Sequence, residues 1–252
     1  MAMQLPEARS QAPAPPGRRG RTAAAARLVI TVALVYFAAA YLLMPAAWKR
    51  YVNRHPRLQD IPNVARTGSG IPGDPINVSL IGTKEQILQV MNAAGWRLAD
   101  PLSLRSSLQI AEATVLRRSY DDAPVSNLYL WGRKEDLAFE KPVGRDPRKR
   151  HHVRFWRSDT DDPDGRPIWV GAAIFDDRVG LSRTTGQITH HTAADIDAER
   201  NTLFADLKGT GDLQEEYVVP GFRQVCKGRN GGGDPWYTDG DLDVGVIKAS
   251  LH

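Results

Sequence analysis

The chain has 252 residues, 42% of them hydrophobic and 25% charged, enough for one domain with a real core plus additional segments. Its formal charge of +4 is unevenly spread: residues 1–57 hold nine Lys/Arg and one acidic residue, and the remainder holds 24 basic and 28 acidic side chains. A net-acidic folded part speaks against a nucleic-acid partner, and a single cysteine, Cys226, rules out intrachain disulfides and Cys-based zinc sites.

Residues 1–27 are rich in Pro, Ala and Arg and offer little to bury, so they read as a disordered basic tail. From Leu28 to Trp48, "LVITVALVYFAAAYLLMPAAW" carries no charge. About 20 helical residues at 1.5 Å each cover a hydrocarbon core of roughly 30 Å, which makes 28–48 one transmembrane helix. Tyr36, Tyr41 and Trp48 supply interfacial anchors, and arginines flank both ends. "AAA" at 38–40 could serve a signal-peptide cleavage site, but the apolar run continues past it, which favours an anchor. Residues 49–74, punctuated by Pro and Gly, read as a linker, and 75–252 as the globular domain.

In that domain Ile76, Val78 and Leu80 alternate as in a strand. "TKEQILQVMNAAG" then has the form of a helix, with a Thr83/Gln86 capping box, an apolar face of Ile87, Leu88, Met91 and Ala94, and Gly95 as its stop. A second helix is expected over 103–119 and a third over about 193–207. Between them "NLYLWG", "LAFEKPVG", "RHHVRFW" and "PIWVGAAIF" are short, aromatic or β-branched and separated by turn chemistry, as are the late strands in "EYVVPGF" and "DLDVGVI". The fold class is α+β: a largely antiparallel sheet with about three helices, preceded by the transmembrane helix.

The motifs "APVSNLYLWGRKEDLAFEKPVG", "RKRHHVRFWR", "PIWVGAAIFD", "THHTAADIDAER", "VPGF" and "GRNGGGDPWYTDGDL", in this order, resemble the LssY C-terminal domain family from about Pro75 to near the C-terminus. The resemblance implies a bacterial, membrane-associated protein of the cell envelope. In that family the domain also occurs attached to membrane domains resembling DedA proteins and lipid phosphatases. This chain carries it on a single helix, so that phosphatase chemistry does not transfer. The resemblance supplies no reaction.

Four of the six histidines stand in two doublets, His151–His152 and His190–His191. If 150–156 is a strand, His151 shares a face with Val153 and Phe155 and points inward, while His152 joins Arg150, Arg154 and Trp156. Arginine neighbours would lower the His152 pKa and suit it to an anion. Arg148, Lys149, Arg150, His152 and Arg154 therefore form a candidate anion site, with a charged, solvated edge strand as the plainer reading.

The second doublet precedes a helix for which Thr192 is the expected N-cap, with Asp195 completing an acidic capping box. Asp195 and Glu199 lie one turn apart, so His151, His191, Asp195 and Glu199 could hold a divalent, zinc-like ion as a cofactor. His151, His190, His191, Asp195 and Glu199 are the candidate catalytic residues. "GRNGGGD" at 228–234 reads as a flexible loop, "DTDDPDG" at 159–165 as a turn rather than a calcium loop, and Ser182 and Thr185 as turn residues.

Two functions remain. One is a single-pass domain of the bacterial cytoplasmic membrane, placed outside the cytoplasm, that binds an anionic envelope lipid or a protein partner. The other is a metal- or histidine-dependent hydrolase acting on a phosphoester, lipid or glycan.

Overall fold

Two long strands set the frame of the domain. "RHHVRFWRSDTD" and "PIWVGAAIFDDRVGL" alternate side chains across a pleat, and both faces are needed because both are covered. The computed structural model describes residues 18–54, 63–99, 127–144 and 149–250. The expected tail up to residue 17, the middle of the linker and the expected helix over 103–119 lie outside the described residues.

In chain order the elements are helix α1 (Arg18–Phe37), a π turn (Ala38–Leu43), α2 (Met44–Arg54), β1 (Val64–Thr67), β2 (Pro72–Pro75), β3 (Val78–Ile81), α3 (Lys84–Ala93) and β4 (Arg97–Leu98). There follow β5 (Leu128–Leu130), β6 (Arg133–Lys134), β7 (Leu137–Pro142), β8 (Arg150–Asp161), β9 (Pro167–Leu181) and β10 (Ile188–Thr192). The last are α4 (Ile196–Thr210), β11 (Leu213–Val219), β12 (Lys227–Arg229), β13 (Pro235–Tyr237) and β14 (Leu242–Ile247).

The main sheet runs β11-β14-β3-β9-β8-β7-β4, with β10 alongside the far end of β9. β14 and β3 are parallel, and the other pairings along this sheet are antiparallel. The α+β expectation holds.

One face of this sheet packs against α3 and α4. Val78, Leu80, Phe139, Val153, Phe155 and Trp169 meet Ile87, Val90 and Met91 of α3 and Leu203, Phe204 and Leu207 of α4. The Thr83/Gln86 capping box is present in both directions, which fixes where α3 begins. Helix α4 differs from expectation at its start. Its N-cap is Asp195, accepting from the backbone N–H groups of Asp197 and Ala198, not Thr192, which ends β10. A carboxylate at this place also complements the helix dipole. Arg200 then pins α4 to the loop before β14 through a two-pronged contact with Asp239, and to β14 itself through a 3.2 Å contact with Asp243.

The opposite face is covered by a second, four-stranded sheet in the order β2-β1-β5-β6. Ala65, Leu128 and Leu130 of that sheet pack with Trp156, Ala172 and Val244 of the main one. Strands β1 and β2 come from the stretch expected to be linker, so the folded unit begins before Pro75. The consequence for function is direct: the Arg150/His152/Arg154 face of β8 is an interior.

Candidate functional site

On β8 the expected alternation holds. His151 lies on the helix side, donating from Nδ1 to Glu199 Oε2 at 2.7 Å and flanked by Trp96 and Phe175. Arg150, His152 and Arg154 point the other way, each no more than 4% exposed. The expected arginine surface is therefore corrected: the second sheet closes over it. Lys149 alone stays at the surface, 3.7 Å from Asp177. Arg148 lies outside the described residues.

Buried cations need partners, and carboxylates supply them. Arg150 donates to Glu140 of β7 at 2.8 Å and to Asp176 of β9 at 3.0 Å. Arg154 donates to Asp74 of β2 at 2.6 Å, and its Nη1 stands 2.8 Å from His152 Nε2, which accepts from it only while the ring is neutral. His152 Nδ1 lies 3.0 Å from Asp176 Oδ2. Burial disfavours the His152 imidazolium, but the carboxylates of Asp176, 3.0 Å away, and Asp74, 3.7 Å away, outweigh it, and its pKa is raised. The expected lowering by arginine is thus reversed, because the carboxylates nearest the ring were not legible as its neighbours. Burial also works against ionised Asp176, yet the charges of His152, His190 and Arg150 hold it well below the usual carboxylate range. Asp74 is lowered too, its burial overridden by His152 and Arg154.

These side chains line a cavity of about 230 Å³. Its walls are β2 (Asp74), β8 (Arg150, His152, Arg154), β9 (Asp176), β10 (His190, Thr192) and the loop before β10 (Ser182, Thr185, Gln187). Gly231 and Gly232 close one side and Pro45 of α2 another. A register shift in the β9–β10 pairing, between Thr192↔Asp176 and His191↔Arg178, accompanies the presentation of His190 and Asp176 to the same space. His190 is pushed down to about 4, chiefly by burial and then by the charges of Arg150, His152 and Arg154, so its ring is neutral near pH 7. Its Nε2 and Asp176 Oδ1 are shielded from solvent and have no hydrogen-bond partner among the described residues.

The remaining candidates lie elsewhere. His191 donates from Nδ1 to Asp234 at 2.8 Å, and its Nε2 stands 2.8 Å from where a Cβ on Gly180 would be. Asp195 is spent on the α4 cap. His151 and Glu199 do meet, but not with His191 or Asp195: among the described residues no three His, Cys, Asp or Glu side chains are arranged to hold one metal ion. The proposed zinc-like set is divided because each doublet splits its rings between two faces and the helix cap consumes Asp195.

"GRNGGGD" is an ordered turn, not a loose loop. Asn230 Oδ1 accepts from the N–H groups of Gly232 and Asp234, and Gly233 has φ +85° with Arg183 Cβ only 2.9 Å from the site of a Cβ. Ser182 is a turn residue as expected, accepting from Thr184 and Thr185 N–H, and "DTDDPDG" is a turn organised by Asp162.

Sequence reasoning missed Asp74, Glu140, Asp176 and Asp234. Two had a signal. Asp176 sits in the strand-like run "PIWVGAAIFDD", and Glu140 in "LAFEKPVG", where an acidic residue inside an apolar strand asks for a cation.

The N-terminal helix reaches the same cavity. Thr22–Trp48 is one helix of 27 residues long and apolar enough to cross a membrane. Within it Met44 N–H bonds to Ala39 O in π register, so the next bond would run from residue 45 to Ala40 O; Pro45 has no N–H to give. Gln187 of the cavity loop donates to that Ala40 carbonyl at 2.9 Å. Tyr36 Oη donates to Gly186 O at 2.6 Å, and Ile188 N–H donates to Tyr41 Oη at 3.1 Å.

A family model described as the LssY C-terminus matches residues 58–242, which takes in β1, β2 and every wall of the cavity except Pro45. The chain belongs to the LssY C-terminus family. No curated protein and no solved structure matches it. The start of the LssY match at residue 58 agrees with strands β1 and β2 being part of the domain. An LssY C-terminal domain joined to one apolar helix is consistent with membrane anchoring.

Proposed function

We propose that this protein is a single-pass membrane-anchored domain that binds an anionic ligand in the cavity between its two sheets. The observation that carries the reading is the convergence of Arg150, His152 and Arg154, from one face of one strand, on a cavity of about 230 Å³ whose walls also hold their partners Asp74 and Asp176 and a set of hydroxyl and amide groups. Guanidinium groups held by buried carboxylates are preorganised, and they bind phosphate or carboxylate at little further ordering cost. The bacterial cytoplasmic membrane, with the domain on its outer side, is the setting that the family and the lone N-terminal helix suit best.

Thermal unfolding of the full-length protein in detergent tests this. Glycerol 3-phosphate should stabilise the wild type, by about 2.7 kcal/mol at a roughly hundredfold excess over Kd, and should not stabilise Arg154→Gln or Arg150→Gln. No shift of the wild type with any phosphate or carboxylate anion would overturn the reading.

A hydrolytic reading is favoured by one observation: His190 and Asp176 both line the cavity, and His190 Nε2 and Asp176 Oδ1 have no hydrogen-bond partner among the described residues. A neutral imidazole and an ionised carboxylate in one cavity can orient a hydroxyl or water and accept its proton. It places the base at His190 rather than His151. Turnover of a phosphodiester reporter near neutral pH, abolished in His190→Gln, would support it; equal rates in the variant would remove it.

A further inference from the structure

The apolar helix cannot keep its place beside the cavity and cross a bilayer at the same time. Its uncharged stretch, Leu28 to Trp48, is bounded by Arg27 and Lys49, and about 21 residues at 1.5 Å each match a hydrocarbon core of roughly 30 Å. The clasp falls in the middle of that stretch: Tyr36 donates to Gly186 O, the Ala40 carbonyl accepts from Gln187, and Tyr41 Oη accepts from Ile188 N–H. With the helix spanning, the loop that carries these groups, and Arg183 near them, would lie close to mid-bilayer, where irregular polar backbone and charge are not tolerated against lipid. The clasped arrangement and the spanning one are therefore alternatives.

A bilayer is the stronger partner. In the clasped form Leu28, Val29, Ile30, Leu34 and Leu42 are each at least 59% exposed, so most of the apolar stretch is uncovered. Lipid covers all of it, and the transfer of each such side chain outweighs the net worth of one hydrogen bond, of which the clasp has three. The backbone is ready for the exchange. In the π turn the Ala40 carbonyl faces Pro45 and takes its hydrogen from Gln187; in α register Met44 N–H would reach Ala40 O instead, and a spanning helix needs its carbonyls satisfied from within. From Arg54 to Asn63 the chain can reach about 30 Å, more than the roughly 12 Å by which Ala40 would sink below Trp48.

What leaves with the helix is a wall of the cavity. Pro45 of α2 lines it, and the loop of the clasp supplies Thr185, Gln187 and Ile188 to it. Release removes the Pro45 side and frees the Gln187 amide, until then held by Ala40, to donate to an anion beside Arg150 and Arg154. A ligand that uses this amide competes with the clasp, and each weakens the other by the same factor. We infer that the N-terminal helix is the gate of the cavity: docked, it restricts entry; drawn into a bilayer, it leaves the cavity open to its anionic occupant. The gating rests on the anionic-ligand reading above, whereas the mutual exclusion of clasp and span does not.

The test compares the full-length protein in phosphatidylcholine nanodiscs with the same protein in a non-ionic amphipol, which covers apolar surface without offering a slab to span. Spin labels on Cys226, which is exposed, and on Leu42→Cys should give one short distance in amphipol and one longer by about 10 Å or more in nanodiscs. Glycerol 3-phosphate should bind at least about tenfold more tightly in nanodiscs, because the apparent affinity of the clasped form is reduced to its open fraction. Tyr36→Phe combined with Tyr41→Phe removes two of the three clasp bonds without touching a wall of the cavity, and should close most of that gap by tightening binding in amphipol alone. The short distance persisting in nanodiscs, or the long one already present in amphipol, overturns the inference, as does equal affinity in the two media. No binding of glycerol 3-phosphate in either medium, with the distance change intact, overturns the anionic-ligand reading and the gate together, while clasp and span remain exclusive.

Discussion

The four histidines of the two doublets have four different environments, and those differences are measurable. His190 is neutral in the fold down to about pH 4, whereas an unfolded chain protonates it near the ordinary value of 6.5. Protons are therefore taken up preferentially by the unfolded state between these values, and stability falls as pH drops from 6.5 to 4, by about 3 kcal/mol for a shift of this size. His190→Gln should flatten that limb of the stability–pH curve in chemical unfolding. His152 has the opposite sign: its raised pKa contributes stability that is full below 6.5 and lost as pH climbs through the folded value. Asp176 joins the His152 ring to Arg150, so Asp176→Asn should cost about 3–5 kcal/mol, the usual penalty for breaking a buried charge pair, and lower the His152 pKa. Urea titration and histidine NMR would read the two effects separately. At this scale alternation along "KRHHVRFWR" correctly divided His151 from His152, because a strand leaves no other option. The partners were not legible, since Asp74 and Asp176 come from elements 80 and 26 positions from the bonds they receive.

Among the elements, α3 was readable to its cap because a capping box and an apolar stripe are local signals. Thr83→Ala should cost about 1 kcal/mol in unfolding free energy, with the loss confined to α3 in hydrogen exchange. The second sheet was not readable. Its strands β1 and β2 are four residues each, one bounded at both ends by proline, in a stretch whose Pro and Gly content signals a spacer. That one omission turned a buried site into an exposed patch. The helix clasp likewise depends on a contact between residues 147 apart, Gln187 and Ala40. Gln187→Leu should remove about 1 kcal/mol and leave the Ala40 carbonyl without its donor. In amphipol, a spin-label distance between α1 and the 182–189 loop should broaden in that variant and stay narrow in the wild type.

For the whole molecule, composition separated a basic N-terminal arm from a net-acidic domain, and the arm contains the helix able to span a bilayer. If the domain stands outside the cytoplasm, a C-terminal reporter enzyme that folds only there should be active, and a cytoplasm-dependent one inactive. The site lies where three separate parts of the chain meet: the clasped helix, the covering sheet and the β8–β9 face. Such a place cannot be found by motif, because no two of its charged walls share a short spacing outside β8. It follows from the requirement that buried charges be paired and that a pleated strand presents alternate residues. The most direct test is NMR of ring-labelled histidines in the full-length protein during titration with glycerol 3-phosphate. Saturable shifts of His152 and His190, with His151 and His191 unmoved, are the expected result; shifts confined to His151, or none in His152 and His190 at saturation, would contradict a ligand site between the two sheets.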